Sequence, residues 1–136
     1  MNQSIDTSPR PSFLDKLTGF FDAGNRLLPR LMISLLFLVA AIVKLFNSAG
    51  TAAYMDSVGV SGSLVYVVIA FELVVFFSVA FNKFIRPVSY LAALFCLVSA
   101  ALFHNEFTNS THLYMALKNV SIAGGFLLLA SAFSHE

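Results

Sequence analysis

Three ionisable side chains stand inside long apolar runs, where charge facing lipid is costly: Lys44, Glu72 and Lys118. A fourth, His104, stands at the boundary of such a run. A carboxylate in hydrocarbon is either neutralised or paired, so Glu72 has two readings. In one it exchanges a proton or touches a substrate in the bundle interior. In the other it is structural and fixes helix register. Lys44 lies near the end of its run, where it can snorkel to the interface or turn inward. Lys118 shares a helical face with Ser121, Gly125 and Leu128. Small residues there permit close backbone approach, so this face is expected to look inward, with Asn119 beside it. His104 is followed by Asn105 and Glu106, and His112 opens the next run. That spacing matches no specific zinc motif, and no metal is assigned. Cys96 is the single cysteine. Without a second thiol to resolve it, it reads as a small packing residue.

The elements that must position these residues follow from the apolar runs. Residues 27–46, 58–81, 87–103 and 113–133 each give roughly the 17–25 residues that cross a bilayer as a helix. The runs are continuous rather than alternating, which excludes membrane strands. The connections are about eleven, five and nine residues, so successive helices must be antiparallel neighbours. The expected fold is all-α: an integral membrane four-helix bundle occupying residues 27–134. Residues 1–26 precede it. Met1 to Pro11 read as a polar tail. Ser12 with Asp15 reads as a weak capping box. Phe13, Leu14, Leu17, Phe20 and Phe21 then recur at helical spacing, predicting a short amphipathic helix lying on the membrane surface and ended by Gly24-Asn25. The first apolar run is not a cleaved signal peptide, because its leader is long and Lys44 sits at its far end.

Composition agrees. Of the 136 residues, 58% are hydrophobic and only 11% charged, against ~25% charged in soluble domains. A soluble globule could not cover its surface with so few charges. A net charge of +1 supplies no basic field for nucleic acid. The lipid bilayer is the partner this arithmetic demands. Arg10, Lys16, Arg26 and Arg30 precede the first span, and Lys83 and Arg86 lie in the second loop, while the first and third loops carry no Lys or Arg. The positive-inside rule therefore places both termini in the cytoplasm. Lys44, His104 and Lys118 then lie at similar depth in the outer half. Glu72 lies lower, about 18 Å down its helix at ~1.5 Å per residue. Tyr54, in the first outer loop, can fold over them to close a small pocket.

Four stretches carry a family likeness. They are Lys44-Leu45 through Gly50-Thr51-Ala52-Ala53-Tyr54-Met55 to Val58-Gly59-Val60, Phe71-Glu72-Leu73, Phe103-His104-Asn105-Glu106-Phe107, and the long run from Met115 through Leu117-Lys118-Asn119 to Ala130. Over residues 30–133 the chain resembles the DoxX-like family of small four-helix bacterial inner-membrane proteins. It departs from the family where Ala40-Ala41 replaces a frequent glycine, and where Phe76 and Phe77 replace glycines after the glutamate. Members of the family are described as oxidoreductases, or as membrane subunits linked to quinone-coupled sulfur or thiol oxidation. The resemblance thus implies an accessory subunit of a membrane oxidoreductase system that handles a quinone-like head group or a reduced small molecule, with a redox partner subunit, no intrinsic cofactor, and a quinone as the candidate diffusible carrier. No haem, flavin or iron–sulfur ligand set occurs in the chain. In that reading Glu72 exchanges protons as the catalytic group. Lys44, His104 and Lys118 donate hydrogen bonds to carbonyl oxygens, with Tyr54, Asn105 and Asn119 completing the substrate site. Two other classes stay open: a proton-coupled small-molecule exporter acting as a homo-oligomer, and a structural or assembly protein without chemistry.

Overall fold

In the computed structural model, residues 12–22 and 27–133 are described. The helices are α1 (Phe13–Asp22), α2 (Leu27–Phe46), α3 (Ser48–Ser57), α4 (Val65–Ala80), α5 (Ile85–Phe103) and α6 (Ser110–Ala132), with a 3-10 turn (Gly62–Leu64) before α4. No strand occurs among the described residues. Among the described residues, four segments are long and apolar enough to cross a membrane: Leu27–Phe46, Gly62–Ala80, Ile85–Phe103 and Ser110–Ala132. Helices satisfy every backbone group within the segment, which hydrocarbon requires. The polar tail Met1 to Pro11, the Gly24-Asn25 break, and Arg10 and Arg26 lie outside the described residues.

α1 starts on the expected capping box. The Ser12 amide donates to Asp15 Oδ2 at 2.7 Å, and the Asp15 amide donates to Ser12 Oγ at 3.1 Å. The Ser12 amide in particular holds the Asp15 carboxyl below its usual range. Phe13 and Leu14 are exposed.

The first connection departs from expectation. Residues 48–57 form helix α3 rather than a loop, and the second span begins at Gly62 rather than at 58. Gly59, at φ 82°, reverses the chain after α3. The Gly62 amide then donates to Asp56 Oδ1 at 2.7 Å, which ties α3 to the start of α4. Glu72 accordingly lies ten residues, about 15 Å, into its span. It remains at the middle of the apolar span Gly62–Ala80.

α2 packs along α4, and α5 along α6, as two extensive pairs. α2 and α4 are antiparallel. Ala41 clusters with Val65 and Ile69 at the α3 end, Phe37 clusters with Val75 and Val79 deeper in, and Arg30 bonds Asn82 at the opposite end. Phe37 joins the two pairs, with its ring centroid 6.3 Å from that of Phe95 and 5.3 Å from that of Phe126. Lipid is as apolar as the bundle interior, so association rests on close packing. Ala41, Ala92, Ala93, Ala123 and Ala130 supply it by letting backbones approach, each 2% exposed or less.

The face of α6 corrects the sequence reading. Its buried side chains are Ala116, Ala123, Phe126 and Ala130, while Lys118, Ser121 and Leu128 are exposed. Small polar residues do not mark the inner face here, because alanines and Phe126 already fill the seam with α5. Gly125 does meet α2: a Cβ there would fall 2.8 Å from Ile33 Cδ1, the end of a flexible side chain.

Candidate functional site

Every helical Cα–Cβ bond tilts toward its own helix N-terminus. α2 runs toward the α3 end and α4 runs away from it. Lys44, near the last turn of α2, therefore leans into the bundle, and Glu72 leans up toward it. Their side chains meet: Lys44 Nζ donates to Glu72 Oε1 at 2.7 Å. A second, longer contact runs from Nζ back one turn to the Ala40 carbonyl at 3.5 Å. Lys44 thus turns inward instead of snorkelling outward. The pair is unequally buried, with the Lys44 side chain 23% exposed and that of Glu72 4%. Glu72 Oε2 is buried and has no hydrogen-bond partner.

The pair borders a cavity of about 350 Å³. α3 contributes Thr51, Tyr54 and Met55 to its lining, and α4 contributes Val68 and Glu72. α5 contributes Phe95, Val98, Ser99, Leu102 and Phe103, followed by His104 at its end. Tyr54 fastens the roof. Its hydroxyl donates to the Phe103 carbonyl at 3.1 Å, and the two rings lie 5.6 Å apart. Phe71 and Phe95, 4.9 Å between centroids and tilted by 44°, pack beside the cavity toward the core. Val98 and Leu102 are also exposed on the outside of α5, so this wall borders the lipid-facing surface.

Lys44, Tyr54, Glu72 and His104 are therefore brought together at one cavity, whereas Asn105, Lys118 and Asn119 are not part of its lining. α3 takes the place in the wall that the sequence reading gave to α6. Burial, His112 and Lys118 together hold the His104 imidazole below its usual range, which favours the neutral ring at neutral pH. The His104 and His112 rings stand 5.9 Å apart. Among the described residues no group of three His, Cys, Asp or Glu side chains is placed to hold a metal ion. Asn109 caps α6, its side chain accepting from the Thr111 amide at 2.9 Å.

Sequence reasoning missed most of the α5 wall. The signal was present: Phe95, Val98, Ser99, Leu102 and Phe103 recur at i, i+3, i+4, i+7 and i+8, one helical stripe, with Ser99 its single hydroxyl. It also missed Asp56 and Gly62, which hold the roof in place. A Cβ on Gly62 would sit 2.6 Å from the Ala52 carbonyl oxygen and 2.8 Å from Asp56 Oδ2. Gly62→Ala is expected to lower stability in detergent by about 1–3 kcal/mol, as other overpacking changes do, and to loosen α3. An unchanged melting temperature would show that α3 is not fastened there.

Four membrane-length apolar helices, closely paired, define a multi-pass α-helical membrane protein. The comparisons narrow the class. The DoxX family model matches residues 26–105, which spans α2 to the end of α5 and so every residue lining the cavity. Inner membrane protein YqjF of Escherichia coli (strain K12) is 36% identical over 104 residues, covering 76% of this chain and 80% of that protein. Inner membrane protein YphA of the same organism is 31% identical over 123 residues, covering 82% and 88%. No solved structure matches. The chain belongs to the DoxX family and is a multi-pass inner-membrane protein.

Proposed function

We propose that this protein binds a lipophilic small molecule with a quinone-like head group in the α3–α4–α5 cavity, as an accessory subunit of a membrane oxidoreductase system. One observation carries the reading: a partly buried ion pair, Lys44–Glu72, borders an otherwise largely apolar cavity, and one buried carboxylate oxygen has no partner. A buried polar atom left without a hydrogen bond costs roughly 1–3 kcal/mol, and a ligand polar group would relieve that. The volume lies at the low end of the ~300–1,000 Å³ typical of ligand sites, which suits a head group while a tail extends into lipid past Val98 and Leu102. A quinone, when bound, would supply two-electron chemistry, with the electrons exchanged with a redox partner subunit. Lys44 donates a hydrogen bond to a head-group oxygen and Glu72 holds or releases a proton beside it. Phe95, Val68 and Met55 exclude water, and Tyr54 keeps the roof closed. Below the cavity, Phe37, Val75, Cys96 and Phe126 form a packed core, which favours a binding site over a conduit.

Mild-detergent co-purification followed by identification of bound molecules tests this. A co-purified quinone together with an oxidoreductase subunit is expected. Recovery of neither, from membranes where the protein is abundant, would overturn the reading.

The orientation belongs to the same proposal. Arg30, Lys83 and Arg86 cluster toward the end opposite α3, so that end and both termini face the cytoplasm, and the cavity opens in the periplasmic half. Cysteine labels in α3 and near Ser61 should react from the periplasmic side. Cytoplasmic reactivity at Ser61 would reverse the model.

A further inference from the structure

The hydrogen bonds at the cavity wall are asymmetric. Lys44 Nζ carries three N–H donors, of which one meets Glu72 Oε1 and a second points weakly to the Ala40 carbonyl. Glu72 accepts from Lys44 on Oε1 and offers Oε2, buried and without a partner. An ionised carboxylate only accepts, with two lone pairs on each oxygen, so Glu72 keeps acceptor capacity beyond its bond to Lys44 at the cavity it lines. The pair is neutral as a whole, and apolar side chains make up most of the remaining lining. A ligand carbonyl seated against this pair can accept from Lys44 and nothing more, and its lone pairs then face the carboxylate. A ligand hydroxyl can accept from Lys44 and also donate to Glu72. It makes one more hydrogen bond than the carbonyl, to a charged acceptor otherwise unsatisfied.

We propose that the cavity selects the hydroxyl-bearing, reduced form of its ligand, a phenol or hydroquinone head group, over the corresponding carbonyl form. The inference rests on the head-group reading above and adds the redox state that the site prefers. Its physical basis is the lone Oε2 in a low-dielectric wall, where an unmade hydrogen bond weighs most.

The test is equilibrium binding under anaerobic conditions. The full chain in lipid nanodiscs is titrated with a decyl-substituted benzoquinone and, separately, with its hydroquinone, each corrected for uptake by empty nanodiscs. The hydroquinone should bind about tenfold more tightly or better, the size of one hydrogen bond to a charged group. Glu72→Gln presents an amide that can donate as well as accept, so the ratio should fall toward unity or invert. Equal binding of both forms, or preference for the benzoquinone in the unmodified protein, would overturn the selectivity while leaving the head-group reading intact. Binding of neither form would overturn both.

Discussion

Lys44→Met should be the most destabilising single substitution in the bundle, lowering unfolding free energy in detergent by about 3–5 kcal/mol. It strands Glu72, whose residue surface is 3% exposed, as a carboxylate with no countercharge in a medium that solvates it poorly. The reverse deletion behaves differently. Glu72→Leu removes the deeply buried member and leaves Lys44, which is 23% exposed and close to the end of α2. That ammonium can reach the interface by swinging its four-carbon stem outward. The cost is then small, and because an apolar side chain avoids burying a carboxyl, the variant is expected to match the parent in stability. In Lys44→Met/Glu72→Leu neither charge remains, and stability should return to within about 1 kcal/mol of the parent or exceed it. The three variants together form a double-mutant cycle. Unfolding at pH 8, where an ordinary carboxyl is ionised, reads it out. If Lys44→Met costs no more than Glu72→Leu, the pair is hydrated and the cavity wall is not the low-dielectric surface described above.

Four membrane helices were legible because length and continuous hydrophobicity are nearly sufficient signals for a span. What lipid erases is the distinction between faces. In water an amphipathic helix announces its buried side, but here the outer surface is as apolar as the seam. Lys118, Ser121 and Gly125 suggested an inward stripe on α6, while the seam was drawn by alanines and Phe126 at the same spacing. α3 was unreadable for another reason. Ser48–Ser57 contains small, weakly patterned residues, and its helix is fixed by tertiary contacts: Met55 in the core with Ala41 and Ile69, Tyr54 on Phe103, Asp56 on Gly62. The Lys44–Glu72 pair spans 28 positions. Depth along the axes alone separates the two residues. The backward tilt of helical side chains closes that gap, and antiparallel packing makes the two tilts converge.

The same convergence gives the site a chemical consequence that stability alone does not test. Glu72→Gln keeps the shape of the side chain and an oxygen that can accept from Lys44, so the bundle should assemble at normal abundance. It removes a group that can take up and give back a proton. If Glu72 transfers protons to or from the ligand, turnover should fall by roughly 10²–10⁴, the usual contribution of a positioned acid–base group. The measurement is complementation of a growth defect caused by deletion of this protein, at matched expression, from pH 6 to pH 8. Failure across that range is expected for Glu72→Gln, whereas Tyr54→Phe, which only unfastens the roof from the Phe103 carbonyl, should retain partial function. Glu72→Leu provides the contrast: it should be stable and inactive. Were Glu72→Gln to complement fully at every pH, the carboxyl would be a structural partner for Lys44 and no proton would pass through it. The cavity would then bind its ligand without acting on it, and the chemistry would have to lie in the partner subunit.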